Sequence, residues 1–296
     1  DTIAVGAPLV NSGTATDTGA VYVFVRDPSS GVFTEQQKLT AADAAAEDNF
    51  GSAVDIDGHT IVVGAPQDNS GLTVDSGAVY VFTRDPTVAN DPWTQQQKLT
   101  AADAAALDLL GSSVYVEGHT LVAGAPRKNS GIASATGAVY VFTRDPDDQA
   151  VPWTQQQKLT ATDAAAEDQF GTSVSLNGNT IVVGTPLDNL GTVFDAGSVY
   201  VFTRDQTVFL NPWTQRQKLT ASNARAGNRL GTSVSINANT ILAGAPLTDF
   251  AGFVDSGAAY VFTRESASAN FSQKQILRAR VAGSDSLFGA SVLVDG

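Results

Sequence analysis

The string Q-K-L-T-A occurs at residues 37–41, 97–101, 157–161 and 217–221. V-Y-V-F occurs at 21–24, 79–82, 139–142 and 199–202, with A-Y-V-F at 259–262, and G-A-P or G-T-P keeps the same rhythm at 6–8, 64–66, 124–126, 184–186 and 244–246. A period of 58 to 60 residues, seen five times, commits nearly all of the 296-residue chain to copies of one unit. A unit this short cannot cover its own apolar faces, so the core must form between neighbouring copies. That accounts for a length beyond the usual single compact core.

Each copy reads as four short strands. In the copy that starts at residue 110, L-G-S-S-V-Y-V-E-G is the first and H-T-L-V-A-G-A-P the second, joined by a tight turn at Glu117-Gly118-His119. Asp57-Gly58 and Asn177-Gly178 occupy the same turn in other copies, and such pairs supply the positive φ that a two-residue hairpin needs. G-A-V-Y-V-F-T-R-D is the third strand and W-T-Q-Q-Q-K-L-T-A the fourth. The first three are apolar on both faces, as in sheets covered on either side. Alanine runs such as residues 44–46 are too short for helices and mark the corner between one copy's last strand and the next copy's first. Antiparallel four-stranded units at this period predict an all-β fold, a five-bladed β-propeller, with residues 1–296 forming one domain.

The two ends of the sequence fit one another. Placing F-G-A-S-V-L-V-D-G (288–296) before D-T-I-A-V-G-A-P (1–8) gives a string that aligns without a gap to residues 50–66. The expectation is a ring closed by pairing the C-terminal strand with the N-terminal strands, one blade being shared between 1–49 and 288–296. Such a seam leaves no open radial edge.

Composition removes several function classes. The net charge is −13, which argues against nucleic acid as a partner, since phosphate binding needs clustered Lys and Arg. No stretch approaches the ~20 apolar residues of a membrane helix, so membrane insertion is not expected. Cysteine is absent, and with it thiolate metal sites and cysteine nucleophiles. His59 and His119, the only histidines, share one turn position and read as surface turn residues.

F-G followed by S-V, with G-A-P some dozen residues on, resembles the FG-GAP repeat of integrin α-subunit propellers, and the longer pattern resembles bacterial FG-GAP repeat proteins. Phe50-Gly51, Phe170-Gly171 and Phe288-Gly289 keep the pair, while Leu110-Gly111 and Leu230-Gly231 keep only its shape. The last copy is the most diverged, with Ile276-Leu277-Arg278 where the others read Lys-Leu-Thr. The resemblance implies an extracellular or cell-surface protein whose inter-strand loops meet a protein or glycan partner, at the cell surface or in the matrix, with self-assembly as a further partner reading. Integrin-type blades often carry an acidic calcium loop between strands one and two. Here that loop has shrunk to a two-residue turn, too small to fill a calcium shell, so no cofactor is expected from it.

The candidate site lies in the loop between strands two and three. Asp68, Asn69, Asp75, Asp188, Asn189, Asp195, Asp249 and Asp255 recur there at matched positions, together with Asn11, Asp17 and Asn129. Turn chemistry explains such residues, because Asn and Asp side chains bond nearby amides and tolerate left-handed backbone. The alternatives are ligand contact and, for Asp75, Asp195 and Asp255, calcium binding. Trp93, Trp153 and Trp213, with Phe33 and Phe271, start the fourth strands and read as edge anchors, or alternatively as a sugar-stacking platform. Arg26, Arg84, Arg144, Arg204 and Arg264 end the third strands of all five copies, which argues for architecture. On the first strands one equivalent position holds Asp55, Tyr115, Ser175, Ser235 and Leu293, which offers no facing pair of carboxylates for glycoside hydrolysis. Val208-Phe209-Leu210 is an apolar run in a variable loop. The expected function is a non-catalytic interaction or structural propeller; a lectin is the alternative, and a propeller-type glycoside hydrolase the next.

Overall fold

The structure is a computed structural model that describes residues 1–71, 73–85, 87–88, 92–145, 152–205, 212–281 and 283–295. These group into two compact units, one of residues 1–125 with 140–156 and the other of 126–139 with 157–296. The described residues contain strands and turns and no helix, so no helix is long and apolar enough to cross a membrane.

Five antiparallel sheets follow one another along the chain. The first holds β1 (Thr2–Ala7), β2 (Ala20–Arg26) and β3 (Phe33–Leu39) in sequence order. The second holds β4 (Ala53–Asp57), β5 (Thr60–Ala65), β6 (Ala78–Thr83) and β7 (Thr94–Leu99). The third is β8 (Ser113–Glu117), β9 (Thr120–Ala125), β10 (Ala138–Thr143) and β11 (Thr154–Leu159). The fourth is β12 (Ser173–Asn177), β13 (Thr180–Thr185), β14 (Ser198–Arg204) and β15 (Trp213–Leu219), and the fifth β16 (Ser233–Asn237), β17 (Thr240–Ala245), β18 (Ala258–Thr263) and β19 (Ser272–Leu277). Each is a meander of the kind a propeller blade uses. The first two sheets lie in the first unit, the last two in the second, and the strands of the third are shared.

Burial tracks the sequence pattern. β5, β9 and β13 are buried at all six positions, as strands covered on both faces must be. β7 alternates, with Gln95 and Gln97 turned inward and Thr94 and Gln96 exposed, which fits an outermost strand. A register shift between Val81 and Phe82 lets Gln95 and Gln97 flank the irregularity, and the same shift recurs at Val201/Phe202 and Val261/Phe262.

The F-G and G-A-P motifs are two halves of one contact between sheets. A Cβ added to Gly64 would lie 1.9 Å from the carbonyl oxygen of Gly111, and one on Gly184 would lie 1.9 Å from that of Gly231. The glycine of each G-A-P thus lets the next copy's F-G backbone pass at a distance no other residue permits. Gly51, at φ 95°, also donates its N–H to Gly64 O at 2.9 Å, joining the two ends of one hairpin. The aromatic half fills the space beside it: fully buried Phe50 meets Tyr80 and Phe82 edge-on at 5.4 and 5.9 Å, and Phe170 meets Tyr200 and Phe202 at 5.5 and 5.8 Å.

The described strand pairings do not include the expected seam. The first sheet has three strands, and residues 291–295 lie in no strand; pairing of that segment with β1 is not among the described strand pairings. Gly296, half of the expected closing turn, lies outside the described residues. Ile3 and Val5 are 42% and 47% exposed, where their equivalents Ile61 and Val63 are fully buried. The segment does take up the contacts of an inner strand toward the sheet before it. Val294 N–H donates to Ser235 Oγ at 3.0 Å, as Ile236 N–H donates to Ser175 Oγ at 3.2 Å, and Ser233 Oγ donates to Gly289 O as Ser173 Oγ does to Gly231 O. Its placement toward β16 is that of a first strand.

Candidate functional site

A polar cluster in the second and fourth repeats went unrecognised in the sequence. In the second sheet Tyr80 Oη lies 2.8 Å from Asp43 Oδ1 and 2.5 Å from Asp68 Oδ2, its one proton shared between them. Lys98 Nζ pairs with the same carboxylates at 2.7 and 2.8 Å and sits over the Tyr80 ring. Asp48 lies buried nearby, its Oδ2 accepting Ala45 N–H at 2.6 Å. Burial works to lower Lys98 and to raise Asp43, but the ion pair prevails, so the lysine is held above its ordinary value and Asp43 below. Burial, with Asp68 adjoining, pushes the Tyr80 hydroxyl far up, so it stays protonated and donates. The fourth sheet repeats the arrangement with Asp163, Asp188, Tyr200 and Lys218. Asp168, the counterpart of Asp48, is pushed up to about 6 by burial.

The fifth sheet carries a neutral version. Asn223, Asn228 and Thr248 stand where the acids stand, and Ile276 replaces the lysine, while Tyr260 Oη still bonds Asn223 Oδ1 at 3.0 Å. In the fifth copy acids and lysine are replaced together, and that co-substitution was the available sequence signal; the third copy instead places Lys128 where Asp68 and Asp188 stand and keeps Asp103, Asp108 and Lys158. Chemically the cluster is closed: an ammonium occupies the centre of the carboxylates. Among the described residues no group of three His, Cys, Asp or Glu side chains is arranged to hold a metal.

The loop candidates divide into two sets. Asp68 and Asp188 are buried in the clusters just described. Asn69, Asn189 and Asp249 serve as turn acceptors, each side-chain oxygen taking the N–H of Asp75, Asp195 or Asp255 at 2.8 to 2.9 Å. Asn11 and Asn129 do the same for Asp17 and Ala135. Asp75, Asp195 and Asp255 adopt φ of 49–50°, the left-handed conformation their side chains tolerate. The loops also tie successive sheets together. Phe194 O accepts from Gly227 N–H and Val254 O from Asp285 N–H, both at 2.9 Å, so each strand-two-to-three loop holds the corner that leads into the next sheet.

The first-strand position is a rung between neighbouring inner strands. Asp55 Oδ2 accepts Val116 N–H at 2.7 Å, a role Ser175 and Ser235 fill in the second unit. Asp57 Oδ2 likewise accepts Gly118 N–H at 2.6 Å. Burial pushes the Asp55 carboxyl up to about 6.

The tryptophans are anchors. Trp93, Trp153 and Trp213 are buried, each beneath the guanidinium of Arg84, Arg144 or Arg204 at 4.8 Å, and Phe271 lies beneath Arg264 at 4.6 Å. Gln37, Gln97, Gln157 and Gln217 each clasp both backbone groups of the anchor in the following sheet, at 2.7 to 2.9 Å. Phe33, in contrast, is exposed. The arginines also reach backward, Arg84 to Thr2, Arg144 to Thr60 and Arg264 to Thr180, each at 3.2 Å. Val208-Phe209-Leu210 lies outside the described residues.

Residues 33–82, 93–142, 153–202 and 213–262 each match the FG-GAP repeat family. Over 161 residues, 49% of its length, the chain is 30% identical to human (Homo sapiens) integrin alpha-11, of which it spans 12%. A protein of unknown function from Desulfotomaculum acetoxidans DSM 771 has a similar fold, with a TM-score of 0.54 at 11% identity over 91% of this chain and 67% of that one.

Proposed function

The chain belongs to the FG-GAP repeat family, and on that premise we propose that it is a non-catalytic, extracellular interaction propeller that presents its loop end to a protein partner. One observation carries this reading. The repeated polar side chains described above are spent on architecture, whereas the exposed residues that differ from copy to copy lie in the loops that join the strands, those between strands two and three and the corners among them. A repeated scaffold with a non-repeated loop end is how such folds separate stability from recognition. The lectin alternative loses its stacking platform, because the tryptophans are buried under arginine. The hydrolase alternative has Asp55 and Asp57 on one strand, both already accepting backbone N–H groups.

In the same proposal the free edge of β1 is completed by an F-G-A-S-V-L-V-D strand, which residues 288–295 supply. Probing arrays of extracellular proteins and of glycans with the labelled chain tests the functional reading. Protein binding that is lost on replacing the loop 249–255 supports it; binding to glycans alone, or release of a chromogenic sugar, would overturn it.

A further inference from the structure

The loop end is not uniform around the repeats. The corners at 41–51, 101–111 and 161–171 carry Asp43, Glu47 and Asp48, then Asp103 and Asp108, then Asp163, Glu167 and Asp168, with no basic residue. The corner at 221–231 carries no acid and two arginines, Arg225 and Arg229, at positions that hold Ala45, Ala105 and Ala165, or Asn49, Leu109 and Gln169, in the other copies. The segment leading to Phe288 adds Arg278 and Arg280 against a single acid, Asp285. Arg225, Arg229 and Arg280 are exposed. A chain of net charge −13 thus concentrates four of its 17 basic residues on two adjacent corners flanking its fifth sheet.

Aromatic residues break the repeat at the same place. Within the strand-two-to-three loops, phenylalanine occurs only in the fourth and fifth copies. Phe194 stands where the others have Thr16, Val74, Ser134 and Val254, and Phe250 and Phe253 replace Ser12 and Ala15, or Ser130 and Ala133. Phe194 is 66% exposed, Val254 56% and Phe253 41%. Phe194 O accepts from Gly227 N–H at 2.9 Å and Asp195 O from Arg229 N–H at 3.1 Å, which sets this aromatic on the corner that bears Arg225 and Arg229. On the other side of the sheet the Arg278 guanidinium lies 4.4 Å from the Phe250 ring centre.

From this coincidence we infer that the loop end of the fifth sheet, built from Phe194, Arg225, Arg229, Phe253, Val254 and Arg280, docks an acidic protein segment with interspersed apolar side chains. Exposed aromatics with arginine are the residue types enriched where protein partners bind, and guanidinium forks pair carboxylates bidentately. The corner that bears Arg225 and Arg229 holds no acid of its own, so beside the loop acids Asp195, Asp249 and Asp255 it offers the carboxylates of such a segment a local positive pole. The inference rests on the interaction reading above and names its partner class.

The test uses the whole chain and a fluorescein-labelled peptide that alternates glutamate with leucine or phenylalanine, read by anisotropy. The expected result is binding that weakens steeply between about 0.05 and 0.5 M NaCl. Arg225→Ala with Arg229→Ala should lower affinity by about tenfold or more, as should Phe194→Ser, while Lys274→Ala, which removes one exposed charge from β19, leaves it unchanged. Circular dichroism confirms that each variant is folded. Equal binding by the double arginine variant, equal loss in Lys274→Ala, or no binding would overturn the inference, as would capture of an acidic polysaccharide in place of the peptide. Binding of a lysine-for-glutamate version of the peptide, indifferent to the arginines, would overturn this inference and leave the interaction reading standing.

Discussion

Replacing Asp68 by Thr and then converting its whole cluster to the fifth sheet's neutral form tests whether these groups act as one electrostatic unit. Lys98 is 26% exposed at its side chain, and Asp68, at 3%, is its more deeply buried partner. Breaking a buried pair on one side costs about 3–5 kcal/mol. Lys98 keeps Asp43 at 2.7 Å and some solvent, so the expected cost of Asp68→Thr alone is about 2–3 kcal/mol. Lys98→Ile alone should cost at least as much, because it leaves Asp43, Asp48 and Asp68 without their cation. The fourfold change Asp43→Asn, Asp48→Asn, Asp68→Thr and Lys98→Ile recreates a set that the chain already uses around Tyr260. Neutral replacement of a buried ion cluster ranges from no cost to a gain of about 1–4 kcal/mol, so this variant should unfold within about 1 kcal/mol of the parent or above it. Urea unfolding of the parent, both single variants and the fourfold variant gives the coupling directly. A fourfold variant destabilised by the sum of its parts would refute the argument that these acids and their lysine act as one electrostatic unit.

Asp55→Asn should stabilise the chain in a pH-dependent way. The folded carboxyl titrates near 6 against an unfolded value of 3.8, so the folded state binds the extra proton and wild-type stability falls as pH rises from about 4 to 6. About two pH units at 1.36 kcal/mol each, discounted for a part-buried group, predicts a variant near parity at pH 4 and about 2 kcal/mol more stable at pH 7 by paired urea titrations; a pH-independent difference would contradict this. Gly64→Ala places a Cβ 1.9 Å from Gly111 O and should lower the melting temperature severely, whereas Gly118→Ala, with nothing within 4 Å of its added Cβ, should cost only the strain of its φ of 57°. Ala4→Cys with Leu293→Cys, aligned to the Val62–Asp55 pair in a chain that has no cysteine, should form a disulfide within one chain under mild oxidation if residues 288–295 complete the first sheet; a free thiol pair would rule that out.

The strands, their order and their turns were legible because short apolar runs and Asp-Gly or Asn-Gly pairs act locally, and five copies average out local ambiguity. The Trp anchors were legible for the same reason, since the second to fifth sheets seal the same edge in the same way. Asp68 and Asp188 were misread as loop-surface candidates because each neighbours Asn69 or Asn189, a true turn residue; one position of difference turns the side chain inward under a tyrosine. Asp55 and its serine equivalents were read only as lacking a facing carboxylate pair, because the sequence does not show that a first strand needs a side-chain acceptor for its neighbour's N–H. Residues 288–295 keep a first strand's contacts with β16, as their likeness to β4 implies.

The most direct test is hydrogen exchange of the whole chain, alone and saturated with the acidic peptide that binds it tightest. Protection confined to residues 189–195, 225–231, 249–255 and 278–287 is predicted, with β7, β15 and β19 unchanged. Protection centred on those outer strands, or on the first-strand rungs at Asp55 and Ser175, would contradict the claim that recognition lies where the repeats differ.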